Sequence, residues 1–404
     1  MKKGFSEFIQ EHTLVPQESM QKVKSKNKNL FIGIPREIDE YENRVILTPE
    51  GVSLLVNNGH EVWIEAKAGL TSKYTDKEYS DAGAKIVFSP KEVYQADIIL
   101  KVMPPTLDEI TYLRSGQCLF SALQLAKVSQ EYLEAVMKQK ITGISLEFLE
   151  DKVGGRPVVR AMSEISGSTV MLIAAEYLST ANDGQGIILG GITGVPPTKV
   201  VILGAGTVGE YAARTAMGLG AEVKIFDNHI YKLRRLKQNL GAHIYTSTFD
   251  TLTLSKALED ADVVIGALRA EEDRSPCVIT EEMVSKMKSN AVIIDVSIDQ
   301  GGCFETSVLT SHKKPVYKKH EVIHYCVPNI ASRVAKTATT AFSNIFTPLL
   351  LQIATHGGVD EMMFTKEWLL KGIYTYKGNL TNLSMAKRFN LPFKDMKLFL
   401  VSRF

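Results

Sequence analysis

Short apolar runs alternate along the chain with segments that carry helix-start signals, and this alternation limits the possible folds more than any other feature. The first cycle starts with LFIGIP (30–35) and continues with TPEGVSLLVNNGH (48–60), in which Thr48 and Pro49 mark a helix start. A second cycle starts with KVVILGAG (199–206). Strands that alternate with helices form βαβ units around a largely parallel sheet. The sequence therefore predicts an α/β chain with two doubly wound domains and a cleft between them.

The same patterns predict individual elements. Strands are predicted over 61–66, 84–88, 97–105, 118–123 and 141–147, and helices over 76–84, 89–96, 129–139 and 161–179. The last segment, from about Arg333 to Phe404, has a helical pattern and is too short for a third α/β domain, so we expect it to pack on the first domain. Residues 1–29 contain alternating lysines before the first strand, which indicates a solvated extension or a basic arm that contacts a partner subunit.

Composition excludes several classes of protein. The 404 residues include 47 basic and 45 acidic side chains, a net charge of +2, and no domain-sized basic block that would bind nucleic acid. The four cysteines lack the spacing of metal ligands, which indicates reduced thiols of a cytoplasmic protein and no metal site. The most apolar stretch, FSNIFTPLLLQIA (342–354), falls short of the ~20 apolar residues of a membrane helix, so no membrane span is predicted.

A glycine-rich motif follows the first strand of the second cycle. Gly204, Gly206 and Gly209 form G-x-G-x-x-G between the strand KVVIL and the helix VGEYAARTAMGLG. In this motif the first glycine permits a tight turn, the second lets the backbone approach a pyrophosphate at the helix N-terminus, and the third allows close helix–strand packing. Asp227 ends the next strand, about 20 residues further on, where a carboxylate accepts from a ribose 2′-hydroxyl. The pattern predicts a dinucleotide-binding site.

Residues near this motif refine the prediction. Asp227 repels a 2′-phosphate and therefore favours NAD over NADP. The basic residues Lys232 and Arg234 lie nearby and could weaken that preference. Leu268 ends a later strand and is an apolar neighbour for the adenosine. Asp299 ends another strand before a glycine pair, where it is either a candidate acid or base or a residue that only caps the loop.

Five segments are distinctive in combination: IGIPREIDEYENRVILTPEGV, DKEYSDAGAKIV, DIILKV, GAGTVG and VIIDVSIDQGGCFE. Together they resemble the alanine dehydrogenase/pyridine-nucleotide transhydrogenase family over about residues 30–390, and the short span after Asp227 is closer to alanine dehydrogenase. The resemblance implies two Rossmann-like domains. An NAD-binding domain over 158–336 would be inserted between the two parts, 30–157 and 337–404, of a substrate domain. The resemblance also implies a homo-oligomer such as a hexamer.

The resemblance further implies a reaction and the roles of individual residues. Alanine dehydrogenases convert L-alanine, NAD and water to pyruvate, ammonium and NADH. Arg44 in ENRV would hold the substrate carboxylate, for which its planar fork is suited, unless it forms a structural ion pair with a nearby glutamate. Asp299 would be the polar residue at the nicotinamide end of the cofactor. The residues implied to line the cofactor are Ser163, Asp227, Lys232, Leu268, Val327 and Asn329.

Two positions depart from the pattern of alanine dehydrogenases. Those enzymes have K-V-K-E-P where this chain has KVMPP (101–105), so Met103 replaces the substrate-binding lysine. They also have a histidine where this chain has Gln124 before Leu-Ala. Methionine brings no charge, and glutamine forms hydrogen bonds but does not titrate. Lys101 could substitute for the lost lysine, because alternate residues of a strand project to the same face.

Three functional hypotheses follow from the sequence. The first is an NAD-dependent oxidoreductase of alanine dehydrogenase type that acts on a small amino acid or 2-keto acid. The second is an NAD(H)-binding protein in which the deaminating activity is lost or altered, since Met103 and Gln124 replace the reactive pair. The third, a membrane-free partner of a transhydrogenase, is disfavoured by the short span after Asp227.

Overall fold

A computed structural model describes residues 27–125, 127–269 and 275–401, so most of the predicted extension over residues 1–29 lies outside the described residues. The strands in this part of the chain are β1 (Phe31–Ile34), β2 (Glu61–Glu65), β3 (Lys85–Val87), β4 (Ile98–Leu100), β5 (Cys118–Ser121), β6 (Thr142–Ser145), β7 (Lys199–Leu203), β8 (Glu222–Phe226), β9 (Tyr245–Ser247), β10 (Val263–Gly266), β11 (Val292–Asp295), β12 (Val316–Lys319), β13 (Val322–Tyr325), β14 (Ile373–Tyr376) and β15 (Asn379–Leu380).

The α-helices of the described residues differ widely in length. They are α1 (Pro49–Asn57), α2 (Asp76–Asp81), α3 (Pro90–Val93), α4 (Leu107–Ile110), α5 (Gln130–Lys138), α6 (Pro157–Leu178), α7 (Thr207–Gly218), α8 (Ile230–Leu240), α9 (Thr251–Glu259), α10 (Glu281–Ser285), α11 (Ala335–Thr355), α12 (Val359–Thr365), α13 (Glu367–Leu370), α14 (Leu383–Phe389) and α15 (Met396–Val401). Short 3-10 turns cover Leu70–Ser72, Thr180–Asn182, Val296–Gln300 and Ile330–Val334.

Two sheets define two domains. The first sheet has the order β15-β14-β6-β5-β4-β1-β2-β3, and the second has the order β12-β13-β11-β10-β7-β8-β9. Pairing is parallel except where β14 meets β6 and β15 and where β12 meets β13. Six parallel strands in each sheet follow the doubly wound order, which reverses between β1 and β4 in the first sheet and between β7 and β10 in the second. The predicted α/β class with two doubly wound domains is confirmed.

Local signals in the sequence explain where several helices start. Thr48 precedes α1, its hydroxyl oxygen accepts from the backbone N–H of Gly51 at 3.2 Å, and Pro49 occupies the first helical position. Thr75 and Glu78 form a reciprocal capping box at the start of α2. Both motifs satisfy backbone N–H groups that have no partner within the helix. The helix starts predicted at these positions are confirmed.

The long helices α6 and α11 carry the chain from the first sheet to the second and back. Gly167 of α6 lies so close to α7 that a Cβ there would be 2.4 Å from the carbonyl oxygen of Val208. Phe342, Phe346 and Leu350 of α11 are buried in the same core as Ile32 of β1. The second sheet has its own apolar clusters on its two faces. Each sheet therefore has a separate core, and α6 and α11 connect them.

One helix of the described residues, α6, is long and apolar enough to cross a membrane by length and composition alone. Ten of its residues are buried, including Val170, Met171 and Ile173, and it packs on α7 and α11. This is the environment of a core helix.

The C-terminal segment corrects the sequence prediction in one respect. Beside its helices it contains β14 and β15, which add two antiparallel strands to the edge of the first sheet. The turn between them, Lys377 and Gly378, has φ of 48° and 80°. Two consecutive residues with positive φ form the two-residue turn that matches the twist of a hairpin. The helical pattern around this hairpin concealed it, but the predicted packing on the first domain agrees with the observed core, to which Ile373 and Tyr376 belong.

Candidate active site

The glycine loop after β7 leaves one backbone face open. Gly204 has a φ of 109°, and a Cβ there would lie 2.4 Å from the carbonyl oxygen of Ala267. A Cβ at Gly209 would lie 2.0 Å from the carbonyl oxygen of Gly204, whereas a Cβ at Gly206 would have no atom within 4 Å. Gly206 directly precedes α7, whose first backbone N–H groups favour negative charge. The loop is thus closely packed on two sides and open at Gly206, as an approaching pyrophosphate requires.

Asp227 holds this loop through its carboxylate. It is buried, and Oδ2 accepts from the backbone N–H of Ala205 at 2.8 Å. Oδ1 accepts from the backbone N–H of His229 at 2.7 Å and lies 3.0 Å from Nδ1 of the same residue. Lys232 Nζ lies 3.4 Å from His229 Nδ1 on the same rim. A carboxylate has about four lone-pair sites, so one is left for a ribose hydroxyl. Sequence reasoning missed His229, which lies three residues after the end of β8.

Asp299 lies in a crowded but solvent-exposed position. It belongs to the 3-10 turn after β11, and the surrounding protein removes enough water to raise the pKa of its carboxyl. The backbone N–H of Asn329 and the positive charges of Lys127 and Arg44 oppose that rise in pKa. The side chain of Asn329 also donates to Glu42 of the first domain at 2.9 Å, so Asp299 lies beside the junction of the two domains.

Arg44 is bound to a glutamate that sequence reasoning raised as an alternative but did not identify. Its Nε and Nη2 donate to Oε1 and Oε2 of Glu42 at 2.7 and 2.6 Å, and both side chains are buried. Asn329 Nδ2 donates to Oε2 of Glu42 at 2.9 Å from the other domain. Asn329 is in the left-handed region, with φ of 56°, and its backbone N–H also reaches Asp299. The structure therefore brings Arg44, Asn329 and Asp299 together through Glu42.

The remaining residues implied to line the cofactor lie on several elements. Ser163 is half-buried in the second turn of α6, next to Met162, whose sulfur lies 3.3 Å from Nη1 of Arg44. Leu268 is half-buried after β10, and its carbonyl accepts from the hydroxyl of Ser297 at 2.6 Å. Val327 is buried after β13. Leu268 and Val327 therefore belong to the second domain, and Ser163 belongs to the helix that leads into it.

Lys101 does not reach the open part of this site. Its ammonium group lies 2.9 Å from Oε1 of Glu109 and 3.4 Å from Oε2 of Glu37, and the side chain is 1% exposed. The two carboxylates raise its pKa despite burial, so it stays charged and paired. Burial raises the pKa of Glu37 to about 7. This geometry argues against Lys101 as a substitute cation, because its charge is already neutralised inside the first domain.

Met103 and Gln124 are in contact with each other. Gln124 Nε2 lies 3.2 Å from Met103 Sδ, after the neighbouring strands β4 and β5. The backbone N–H of Gln124 donates to Glu147 Oε1 at 2.8 Å, and that of Met103 lies 3.4 Å from Oε2 of Glu37. Met103 and Gln124, the two positions that depart from the alanine dehydrogenase pattern, therefore lie together at the carboxyl edge of the first sheet. They are beside the point where the strand order of that sheet reverses. Sequence reasoning missed Glu37 and Glu147, although each carboxylate follows a strand end.

Comparison with known proteins assigns the chain to a family. Residues 33–166 match the family model "Alanine dehydrogenase/PNT, N-terminal domain", and residues 170–383 match "Alanine dehydrogenase/PNT, C-terminal domain". The chain belongs to this family, and the resemblance seen in the sequence is confirmed. Within the described residues, no group of three or more His, Cys, Asp or Glu side chains is placed to hold a metal ion.

Individual relatives agree with this assignment. Alanine dehydrogenase 2 of Staphylococcus aureus (strain Mu50 / ATCC 700699) is 39% identical over 367 residues, which are 91% of this chain and 98% of that protein. A solved structure of L-alanine dehydrogenase superposes with a TM-score of 0.83 and 36% identity, covering 89% of this chain and 99% of the other. A transhydrogenase from Sinorhizobium meliloti gives a TM-score of 0.74 at 25% identity, covering 87% and 99%.

Proposed function

We propose that the chain is an NAD-dependent oxidoreductase of alanine dehydrogenase type, acting on a small amino acid or 2-keto acid. The observation that carries this proposal is the convergence of Arg44, Asn329 and Asp299 at the cleft, where Glu42 and Asn329 join the two domains. Oxidation of alanine to pyruvate and ammonium is the reaction implied by the relatives' name. With Met103 and Gln124 in place of lysine and histidine, we expect turnover of alanine itself to be low.

The residues of the glycine loop fit a dinucleotide. The open face at Gly206 and the start of α7 would hold the pyrophosphate, and Asp227 and Lys232 would lie at the adenosine ribose. Ser163, Leu268, Val327 and Asn329 would line the remainder. When bound, NAD supplies the hydride acceptor of the reaction. The negative charge of Asp227 favours NAD over NADP, because a 2′-phosphate would be repelled there.

The cleft residues can bind the acid and handle a proton. Arg44 retains N–H donors beyond the two that Glu42 accepts, and these suit a carboxylate. Asp299 has a raised pKa, so it holds a proton at higher pH than an ordinary aspartate and can exchange it with the reacting nitrogen or oxygen. Gln124 can donate a hydrogen bond but cannot accept a proton.

A second candidate function is an NAD(H)-binding protein without deaminating activity. The contact between Gln124 and Met103 favours it, because these side chains satisfy each other where a lysine and a histidine would act on substrate. Under either function we propose a cytoplasmic location and assembly into a homo-oligomer such as a hexamer, as the family resemblance implies.

Two measurements test the proposed function. Calorimetric titration of the full chain should show tighter binding of NADH than of NADPH; equal or reversed affinities would contradict the role of Asp227. NADH oxidation is then measured against a panel of 2-keto acids with and without ammonium. Consumption that requires ammonium supports the dehydrogenase. NADH binding without consumption of any keto acid would instead support the second candidate.

A further inference from the structure

The guanidinium of Arg44 is held on several sides. Glu42 accepts from its Nε and Nη2 at 2.7 and 2.6 Å, and Oε1 of Glu42 also accepts from the backbone N–H of Arg44 at 3.0 Å. The charged group lies 5.4 Å from the ring centre of Phe342, and Nη1 lies 3.3 Å from the sulfur of Met162. Of the five N–H donors of a guanidinium, these contacts leave one on Nη1 and one on Nη2, which is the number that a bidentate carboxylate accepts.

Glu42 is the point at which this arginine is bonded to the second domain. The side chain of Glu42 is fully buried, and its Oε2 accepts from Arg44 and also, at 2.9 Å, from Nδ2 of Asn329, which follows β13. Burial opposes ionisation of Glu42, but the charge and hydrogen bonds of Arg44 and the hydrogen bond from Asn329 lower its pKa. The carboxylate is therefore charged. Loss of the Asn329 donor would take one partner from a buried charge, which costs free energy.

The backbone beside Glu42 contacts the same part of the second domain. The hydroxyl of Ser332 donates to the carbonyl of Tyr41 at 2.8 Å and accepts from the backbone N–H of Asn43 at 2.9 Å. Ser332 and Asn329 belong to one short stretch between β13 and α11. The segment that carries Glu42 is thus fixed to this stretch by backbone and side-chain hydrogen bonds, so a shift of the second domain would change the contacts of Glu42 directly.

A second ion pair joins the two domains close by. Lys313 Nζ lies 2.6 Å from Oε2 of Glu40, two residues before Glu42, and both side chains of this pair are exposed. Exposed ion pairs contribute little to stability, because water screens them and the side chains lose entropy. Glu40 therefore contacts the second domain as Glu42 does, whereas Glu42 is the glutamate that binds Arg44. This difference makes Glu40 a matched control for Glu42.

We propose that Glu42 is a positioning residue that couples two binding sites: it orients Arg44 toward the small acid, and its hydrogen bond with Asn329 makes that orientation depend on the second domain. NADH bound beside Asn329 would hold this side chain as a donor to Glu42, and an acid at Arg44 would hold Glu42 as the acceptor. Coupling between sites is reciprocal, so each ligand should raise the affinity of the other by one factor, typically about 5–150-fold. The identity of the two ligands rests on the proposed function.

Calorimetry of the full chain measures this coupling without any chemistry. The probe is oxamate, in which an amino group replaces the methyl group of pyruvate and the carbonyl is not reduced. We expect the wild type to bind oxamate at least about tenfold more tightly with NADH present, and NADH more tightly by the same factor with oxamate present.

Two substitutions should remove the coupling, and one should not. Asn329→Gly keeps the left-handed backbone at this position and removes the donor, so it should lower the factor to below about threefold. Glu42→Gln should do the same, because an amide cannot accept from both partners with a full charge. Glu40→Gln should leave the factor unchanged. Asn329→Gly keeps the Arg44–Glu42 pair, so it decides the question if Glu42→Gln fails to fold.

An exchange variant separates coupling from damage to the fold. Glu42→Gln combined with Asn329→Asp reverses donor and acceptor across the same contact, since a glutamine amide can donate to a carboxylate. This double variant should recover part of the factor that each single change removes. A role limited to packing would predict no recovery, because two substitutions would disturb the junction more than one.

Several outcomes would overturn the inference. They are equal oxamate affinity with and without NADH, a factor that survives both Asn329→Gly and Glu42→Gln, an equal loss in Glu40→Gln, and no recovery in the exchange variant. Absence of oxamate binding at any NADH concentration would remove the acid from Arg44 and overturn the inference as well.

Turnover separates this inference from the proposed function. Keto acid consumption that requires ammonium, without coupling between oxamate and NADH, would support the function and contradict the inference. Coupling that depends on Glu42 and Asn329, with no keto acid consumed, would do the reverse.

Discussion

Met103 and Gln124 follow the neighbouring parallel strands β4 and β5, and their side chains are in contact at 3.2 Å, so their effects on activity should be coupled. We expect Met103→Lys with Gln124→His to raise alanine–pyruvate turnover above either single change. Positioned proton transfer contributes typically ~10²–10⁴-fold in rate, and groups that act on one substrate are not additive. Gln124 has a φ of 50°, a region that histidine adopts more readily than most residues. Steady-state kinetics of wild type, both single variants and the double variant measures the coupling.

Met103→Leu with Gln124→Asn is the control for this experiment, because it changes the shape of the same spot without adding a charge or a titrating group. It should leave the low turnover unchanged. Wild-type alanine oxidation with kcat in the ordinary range of ~1–10³ s⁻¹ would contradict the expectation. Asp299 and its surroundings would then suffice for the chemistry.

At this scale the sequence predicted candidate site residues but not their partners. Asp227 and Asp299 were predicted from local patterns, and Arg44 was implied by the family resemblance. The acceptor of Arg44, Glu42, lies two residues away, but its link to Asn329 spans 287 positions of the chain. Such contacts depend on how two domains pack, which a local pattern does not encode. Lys101 is the opposite case. Strand alternation predicted the face of the strand on which its side chain lies, but not the two buried carboxylates that pair with its ammonium group.

At the scale of elements, two glycines of the turn from β7 into α7 should have different roles, one in binding and the other in packing. Gly206→Ala should leave the free energy of unfolding within about 0.5 kcal/mol of wild type, because its φ is −77° and a Cβ there has no atom within 4 Å. It should nevertheless weaken NADH binding at least tenfold, since the methyl group enters the space for the pyrophosphate. Gly209→Ala should cost ~1–3 kcal/mol, because its Cβ would lie 2.0 Å from a backbone oxygen.

Urea denaturation and NADH titration of both variants measure these two effects separately. Equal destabilisation by the two changes, or unaltered NADH binding in Gly206→Ala, would show that the open face at Gly206 is not the cofactor's place. The contrast also shows what the motif alone could predict. The motif predicted the three glycines and a role for each. Only the structure shows at which of them a Cβ would meet other atoms of the protein.

Predicted elements agree with observed ones where caps and periodicity coincide. The helix predicted over 129–139 is observed as Gln130–Lys138, with Ser129 Oγ accepting from the N–H of Tyr132 at 3.2 Å. The strand predicted over 97–105 is shorter, Ile98–Leu100, because its later residues turn away to form the site at Met103. The missed hairpin of β14 and β15 relies on a Lys-Gly turn, a weaker signal than the Asn-Gly or Asp-Gly pairs that favour such turns.

For the whole molecule, alternation of strands and helices predicted two doubly wound domains, but not the order of strands. That order depends on which edge each crossover takes, and the same strand–helix pattern is compatible with more than one order. In each sheet the strand order reverses next to candidate site residues. The first sheet reverses between β1 and β4, which are followed in the chain by Glu37 and Met103. The second reverses between β7 and β10, and the glycine loop follows β7. The helices α6 and α11 connect the two sheets, and Asn329 Nδ2 of the second domain donates to Glu42 of the first at 2.9 Å.

Global stability should depend on two buried groups that titrate in opposite directions. Burial lowers the pKa of His324 from 6.5 to about 4, so the unfolded chain binds its proton first and stability is lost as pH falls below about 6.5. Burial raises the pKa of Glu37 from 4.5 to about 7, so the folded chain keeps that proton and stability is lost as pH rises through that range. Between about pH 5 and pH 6.5 the two contributions should nearly cancel in the wild type.

Substitution of either group should leave the pH dependence of the unfolding free energy that the other group causes. Each proton is worth about 1.4 kcal/mol per pH unit. Relative to wild type, His324→Gln should therefore lose about 2 kcal/mol of unfolding free energy between about pH 5 and pH 6.5, and Glu37→Gln should gain about as much. Urea denaturation across this range measures both. The opposite signs distinguish titration from simple damage, because a variant that only loosened the core would shift its curve in parallel with that of the wild type. Parallel curves for both variants would show that neither group titrates differently in the folded and unfolded chains.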